Sequence, residues 1–261
     1  MTYVLTAVLL LAGSPLFAQP AAKTPRLANG KPNLNGIWQA MNTANWDLVE
    51  HAARPGLVVA LGAIAAEPGG PGVVDSGTIP YLPAALEKKK ANFEHRLTDD
   101  PEVKCYLPGI PRATYLPHPF QIFHSDKAIF FAYEFAGAVR NIFLKDPGPA
   151  PADSWMGQSV GHWEGDTLVV DVTGLDERTW FDRAGDYHSD ALHVVERYTP
   201  LGPDILSYEA TIEDPKIFSR PWKISMPLYR HVEKNARLME FKCVEFVEDL
   251  IYGEFTKKTG K

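Results

Sequence analysis

Basic runs, helical repeats and membrane-length apolar stretches are scarce in this 261-residue chain, and each scarcity removes a class of function. The one basic run, Lys88-Lys89-Lys90, is short and reads as a solvated helix face. With a net charge of -6, the chain has no field to hold nucleic acid or an anionic membrane, so neither is expected as a partner. The uncharged apolar run from Val4 to Ala12 falls short of the roughly 20 residues that cross a bilayer. No glycine-rich loop opens a helix to cradle a phosphate, and no cysteine or paired-histidine spacing supports zinc. No cofactor and no metal are therefore expected. Cysteine is nearly absent too. Cys105 and Cys243 either pair or pack as two buried free thiols, and the sequence leaves both open.

The apolar run is followed by Gly13-Ser14-Pro15 and then Leu16-Phe17-Ala18. That order reads as a secretory leader, residues 1–18, with cleavage after Ala18 and a periplasmic or secreted destination. The n-region Met1-Thr2-Tyr3 departs from the usual pattern in carrying no Lys or Arg. After cleavage no membrane attachment is expected, and an oxidising compartment would permit a disulfide.

Proline and aromatic residues are abundant. Twenty-two prolines and twenty glycines imply many turns, and 11% aromatic residues suit the pleated surface of a sheet. Residues 19–119 read as an extended, loop-rich segment with one helix near 83–96, which presents Leu86, Phe93 and Leu97 on one face. Gly36-Ile37-Trp38 is a first buried foothold, and residues 56–77 read as a long loop.

From residue 120 the pattern becomes nine short β-type runs, at 120–124, 128–135, 139–144, 159–163, 167–172, 192–199, 205–212, 222–229 and 238–246. Turn residues such as Ala136-Gly137 and Glu164-Gly165-Asp166 separate them. No 10–15-residue helical pattern intervenes, which excludes a parallel α/β sheet. The expectation is a mainly β fold. An antiparallel meander over 120–261 closes into a lipocalin-like barrel to protect its edges, and 19–119 caps it; a two-sheet β-sandwich is the alternative.

Gly157-Gln158-Ser159-Val160-Gly161 matches the hydrolase pattern G-x-S-x-G, which requires a strand-to-helix elbow. Here a strand follows instead, so the segment reads as part of a hairpin. Asp182, Asp186, His188, His193 and Glu196 fall close in sequence, but His193 and Glu196 take opposite faces of one strand. These read as structural polar groups around a loop.

The run Ser159-Val160-Gly161-His162-Trp163-Glu164-Gly165-Asp166-Thr167-Leu168-Val169-Val170-Asp171 resembles the SVGxWEGDTLVVDT core of a family of exported bacterial proteins of uncharacterised function. Gly30 to Trp38, Pro108 to Arg112, Thr179 to Asp182, His188 to Arg197 and Tyr208 to Pro215 are similar to further segments of that family. The resemblance implies export and a single module, and no particular reaction.

Two functions fit. In one, an exported enzyme acts on a small, mostly apolar, hydroxylated or aromatic compound by acid–base chemistry of the lyase, hydratase or isomerase type. His193 or His188 moves the proton, Asp171 or Glu196 orients it, and Arg140 neutralises a developing oxyanion. In the other, the barrel carries a hydrophobic small molecule unchanged.

Overall fold

The computed structural model describes residues 23–56, 58–59 and 65–255; the leader expected at 1–18 lies outside them. In chain order the elements are β1 (Gly36–Ala40), β2 (Arg54–Pro55), β3 (Ala66–Glu67), α1 (Pro83–Glu94), α2 (Arg96–Asp99) and α3 (Arg112–Tyr115). They continue as β4 (Phe120–His124), β5 (Ile129–Tyr133), β6 (Val139–Phe143), β7 (Gln158–Glu164), β8 (Thr167–Thr173), β9 (His193–Pro200), β10 (Ile205–Glu213), β11 (Trp222–Arg230) and α4 (Val247–Tyr252).

Among the described residues, nine strands close into a barrel in the order β1-β11-β10-β9-β8-β7-β6-β5-β4. Alternation along the strands decides which side chains fill it. Leu168, Val170 and Val172 of β8 point in, as do Val194, Glu196 and Tyr198 of β9 and Leu206, Tyr208, Ala210 and Ile212 of β10. The fold is therefore mainly β, with a lipocalin-like closed barrel. At the β5–β6 turn, Ala136 and Gly137 both take the left-handed conformation, as a tight hairpin turn of primed type requires.

Three features differ from the sequence reading. The pairing of β6 with β7 is parallel, Ile142 beside Ser159 and Phe143 beside Val160. The connection 144–157, stiffened by Pro147, Pro149 and Pro151, is long enough to return the chain to the same end of the barrel.

Residues 238–246 form no strand. The closing strand is β1, which pairs with β11 on one side and β4 on the other and leaves no edge for another strand. The 238–246 segment is held elsewhere. Cys243 is disulfide-bonded to Cys105 with Cα atoms 5.8 Å apart, and Phe246 N donates to the Val103 carbonyl at 2.8 Å. The Phe241 ring sits against His118 and Phe135.

Helix α1 starts at Pro83 as expected but presents a different face. Leu86 is exposed while Ala85 is buried, because the helix packs on the loop 181–187, where the Tyr187 hydroxyl donates to the Ala85 carbonyl. The lysine run is correspondingly not a simple solvated face. Lys88 lies over the Tyr187 ring and Lys89 reaches Asp186 at 3.6 Å.

Candidate functional site

Arg140, inward-pointing on β6, would be costly to bury alone, and the neighbouring strands supply its partners. Its Nε donates to Ser159 Oγ of β7 at 2.7 Å, and its Nη2 donates to Glu196 Oε2 of β9. The other carboxylate oxygen of Glu196 accepts from two phenols, Tyr198 at 3.0 Å and Tyr208 at 2.8 Å. Register explains this convergence. Tyr198 lies directly opposite Tyr208, and Glu196 opposite Ala210, so the two rings flank one carboxylate. Phe131, paired with Arg140 across β5 and β6, places its ring 5.7 Å from the guanidinium.

The remaining side of this cluster is closed by α3, which packs on β1 and brings Thr114 toward Tyr133 and Tyr198. Arg112 clamps the helix. It donates to both oxygens of Asp100 at 2.7 and 2.8 Å, to Glu102 at 2.6 Å and to Asn45 at 2.9 Å. Burial pushes the phenols of Tyr133, Tyr198 and Tyr208 above their ordinary value, so all three are neutral donors at neutral pH. Burial alone would lower Arg140, but the Glu196 carboxylate more than offsets it and the guanidinium stays charged.

Three polar atoms in this cluster have no hydrogen-bond partner: Thr114 Oγ1, Tyr133 Oη and Arg140 Nη1. All three residues are buried, so each atom has lost water without gaining a replacement. Arg140, by charge and by approach of its N–H groups, and Thr114, by approach of its hydroxyl, both bear on the Tyr133 phenol, which places the three groups at one spot. A charged N–H and two hydroxyls gathered at one buried spot are suited to an oxygen atom carrying partial or full negative charge.

Family models, curated proteins and solved structures yield no match to this chain. The site has to be read from its own geometry.

The five residues singled out from sequence fall in three places. Arg140 and Glu196 meet inside the barrel. His193 and Asp171 pair with each other at 3.2 Å, but on the outer wall, where their side chains are 35% and 43% exposed. Glu213 lies 3.6 Å from the other ring nitrogen of His193. Neither His193 nor Asp171 reaches the interior, because odd-numbered positions of β8 and β9 point outward.

His188 is buried in the loop before β9 and both its ring nitrogens are engaged. Nδ1 meets the Ser189 carbonyl at 2.8 Å and Nε2 meets Thr179 Oγ1 at 2.6 Å. Burial lowers its pKa, so the ring is neutral; the carbonyl can only accept, which puts the proton on Nδ1. Ser159, of the G-x-S-x-G pattern, sits on β7 of the β7–β8 hairpin and bonds Arg140, with no helix following it. It is a structural partner of the guanidinium and has no histidine to activate it.

Sequence reading missed Tyr133, Tyr198, Tyr208 and Thr114 as members of the cluster. The alternation of β9 and β10 carried the signal for the two later tyrosines. Thr114 had none, since α3 lies in a proline-rich stretch read as loop. Asp182 and Asp186 do converge with a third acid, but that acid is Asp47, far upstream in the loop after β1. Burial, then the neighbouring carboxylates, hold Asp182 well above the usual carboxylate range; burial also raises Asp186, partly offset by Lys89.

Proposed function

We propose that the chain is an exported enzyme that performs acid–base chemistry on a small, mostly apolar, hydroxylated or aromatic compound inside the barrel. The observation that carries this reading is the set of three unpaired buried atoms, Thr114 Oγ1, Tyr133 Oη and Arg140 Nη1, beside the Arg140–Glu196 pair. Arg140 Nη1 stabilises an oxyanion that develops on the substrate. Tyr133, a neutral phenol beside that guanidinium, gives its proton to the developing oxyanion, and the phenolate so formed takes up the proton released from the substrate carbon. Glu196 keeps Arg140 in place and charged, while Phe131, Phe120 and Tyr198 supply an apolar wall that excludes water. Elimination, hydration and isomerisation all need this pair of functions. The acid–base roles first given to His193 and Asp171 pass to Tyr133, since the outer-wall pair has no access to the cluster.

Export is supported by the leader-like first eighteen residues and by the Cys105–Cys243 disulfide, which suits an oxidising compartment.

Carriage without chemistry is the second reading. One fact favours it: both Glu196 oxygens are occupied by donors, so no free carboxylate base faces the unpaired atoms.

The two readings separate on one experiment. Small molecules are extracted from the purified protein and from Tyr133→Phe, and identified by mass spectrometry. Catalysis predicts a substrate that accumulates unconverted on Tyr133→Phe and is converted by the wild type. Carriage predicts the same unchanged compound on both. A wild-type protein and a variant both free of any co-purifying compound, with no uptake from a cell extract, contradict both readings.

A further inference from the structure

Three carboxylates meet where the loop after β1 crosses the loop between β8 and β9, away from the barrel interior. Asp47, Asp182 and Asp186 are all buried, and one oxygen from each lies within 4.8 Å of the others. Oxygen ligands held about 2.4 Å from a calcium ion are separated by at most about 4.8 Å, so the spacing fits one shared ion.

The backbone fixes most of these oxygens. Asp182 Oδ1 accepts from the N–H groups of Ala184 at 3.0 Å and Asp186 at 3.2 Å, and its Oδ2 accepts from Leu48 N–H at 3.0 Å. Asp47 Oδ1 accepts from Val49 N–H at 2.8 Å, and Asp186 Oδ1 accepts from the Tyr81 hydroxyl at 2.9 Å.

A separate observation points to a ligand. Asp186 is 1% exposed, yet its Oδ2 accepts no hydrogen bond. The ammonium of Lys89 stands 3.6 Å from it, beyond hydrogen-bond length. His51 Nε2, 3.4 Å from Asp47, likewise makes no hydrogen bond. Three buried acids thus face one ammonium and one imidazole, and a divalent cation is the partner that would let all three ionise together in a place water does not reach. All the candidate ligand atoms are hard oxygens with no sulfur among them, a set that selects calcium or magnesium over zinc or copper.

We propose that Asp47, Asp182 and Asp186 form a divalent cation site of the calcium type, with Asp186 Oδ2, which accepts no hydrogen bond, as one ligand atom. A bound ion would tie the loop after β1 to the loop that carries His188 and to α1 through Lys89 and Asp186. The site is independent of the barrel cluster, and its test does not require any substrate.

The test is a calorimetric titration of calcium chloride into the full chain after treatment with EDTA, alongside thermal unfolding with calcium at millimolar concentration or with EDTA. The expected result is saturable uptake of one ion per chain and a higher melting temperature with calcium. Asp186→Asn removes the charge at Oδ2 without removing any backbone donor, and is expected to weaken calcium uptake by roughly tenfold or more. Absence of calcium uptake by the wild type, with identical melting in calcium and EDTA, overturns the proposal. So does an unchanged calcium affinity in a folded Asp186→Asn. If that variant does not fold, the wild-type titration alone decides.

Discussion

Arg140 on β6 and Glu196 on β9, 56 residues apart in sequence, form an ion pair inside the barrel with side-chain exposures of 1% and 0%. A pair this dry is held by its surroundings, since the removal of two charges from water costs more than ordinary attraction returns unless other hydrogen bonds help. Ser159, Tyr198 and Tyr208 supply that help.

Breaking the pair from one side is therefore expected to be severe. Arg140→Met should destabilise the fold by about 3–5 kcal/mol, because it strands a buried carboxylate. The double variant Arg140→Met with Glu196→Leu should recover most of that loss while losing ligand retention. Urea unfolding of the single and double variants measures the difference. A single variant within about 1 kcal/mol of wild type would mean the pair is hydrated in solution.

His193 offers the contrasting case. Its pairs with Asp171 and Glu213 lie on the outer wall, so His193→Ala should change stability by less than about 1 kcal/mol. Ligand retention and turnover should be unaffected. Loss of turnover with the fold intact would return the chemistry to the outer wall.

The acid limb of the stability profile should carry the signature of Glu102. Burial alone would raise its pKa, but Arg183 and Arg112 hold it at about 2 against an ordinary 4.5. A carboxyl depressed by folding contributes stability above its unfolded pKa, and that contribution is lost as pH falls from about 4.5 toward 2. Glu102→Gln should flatten this part of the curve of urea midpoint against pH. Asp182 and Asp186 work in the opposite direction. Their raised values add stability at low pH that is lost as pH rises through the folded values. A Glu102→Gln curve parallel to wild type would refute the assignment.

The disulfide joins positions 138 residues apart and holds the C-terminal segment over the turn that follows α2. The chain-entropy treatment of so long a loop gives an upper figure of about 5 kcal/mol. Cys105→Ser with Cys243→Ser should lower the melting temperature markedly, and reductant should do the same to the wild type. Equal melting with and without reductant would show that the bond contributes nothing.

The strands were the most legible part of the chain. Period-two alternation and glycine-bearing turns located β4 to β11 to within a residue or two, because each strand buries one face and its register cannot slip. The closing strand was harder to see. Gly36–Ala40 is short, and the Leu238-to-Phe246 run is equally apolar; only the disulfide and the anchoring of Phe241 decide between them. Within the candidate site, Arg140 and Glu196 stood out as charges on apolar faces. Their meeting depends on barrel closure, which no local pattern encodes. His193 and Asp171 are close to each other but on the wrong side of the wall, since strand alternation states opposite faces without saying which is interior. Asp47 joins Asp182 and Asp186 only through the packing of two loops, a contact with no periodic signal.

The most direct test of the barrel site is a crystal structure of the protein, purified without ligand exchange, at a resolution that distinguishes water from an organic molecule. The account predicts density for a small oxygen-bearing compound within hydrogen-bond distance of Arg140 Nη1, Tyr133 Oη and Thr114 Oγ1. An interior in which those three atoms bond only to one another or to single waters would contradict it.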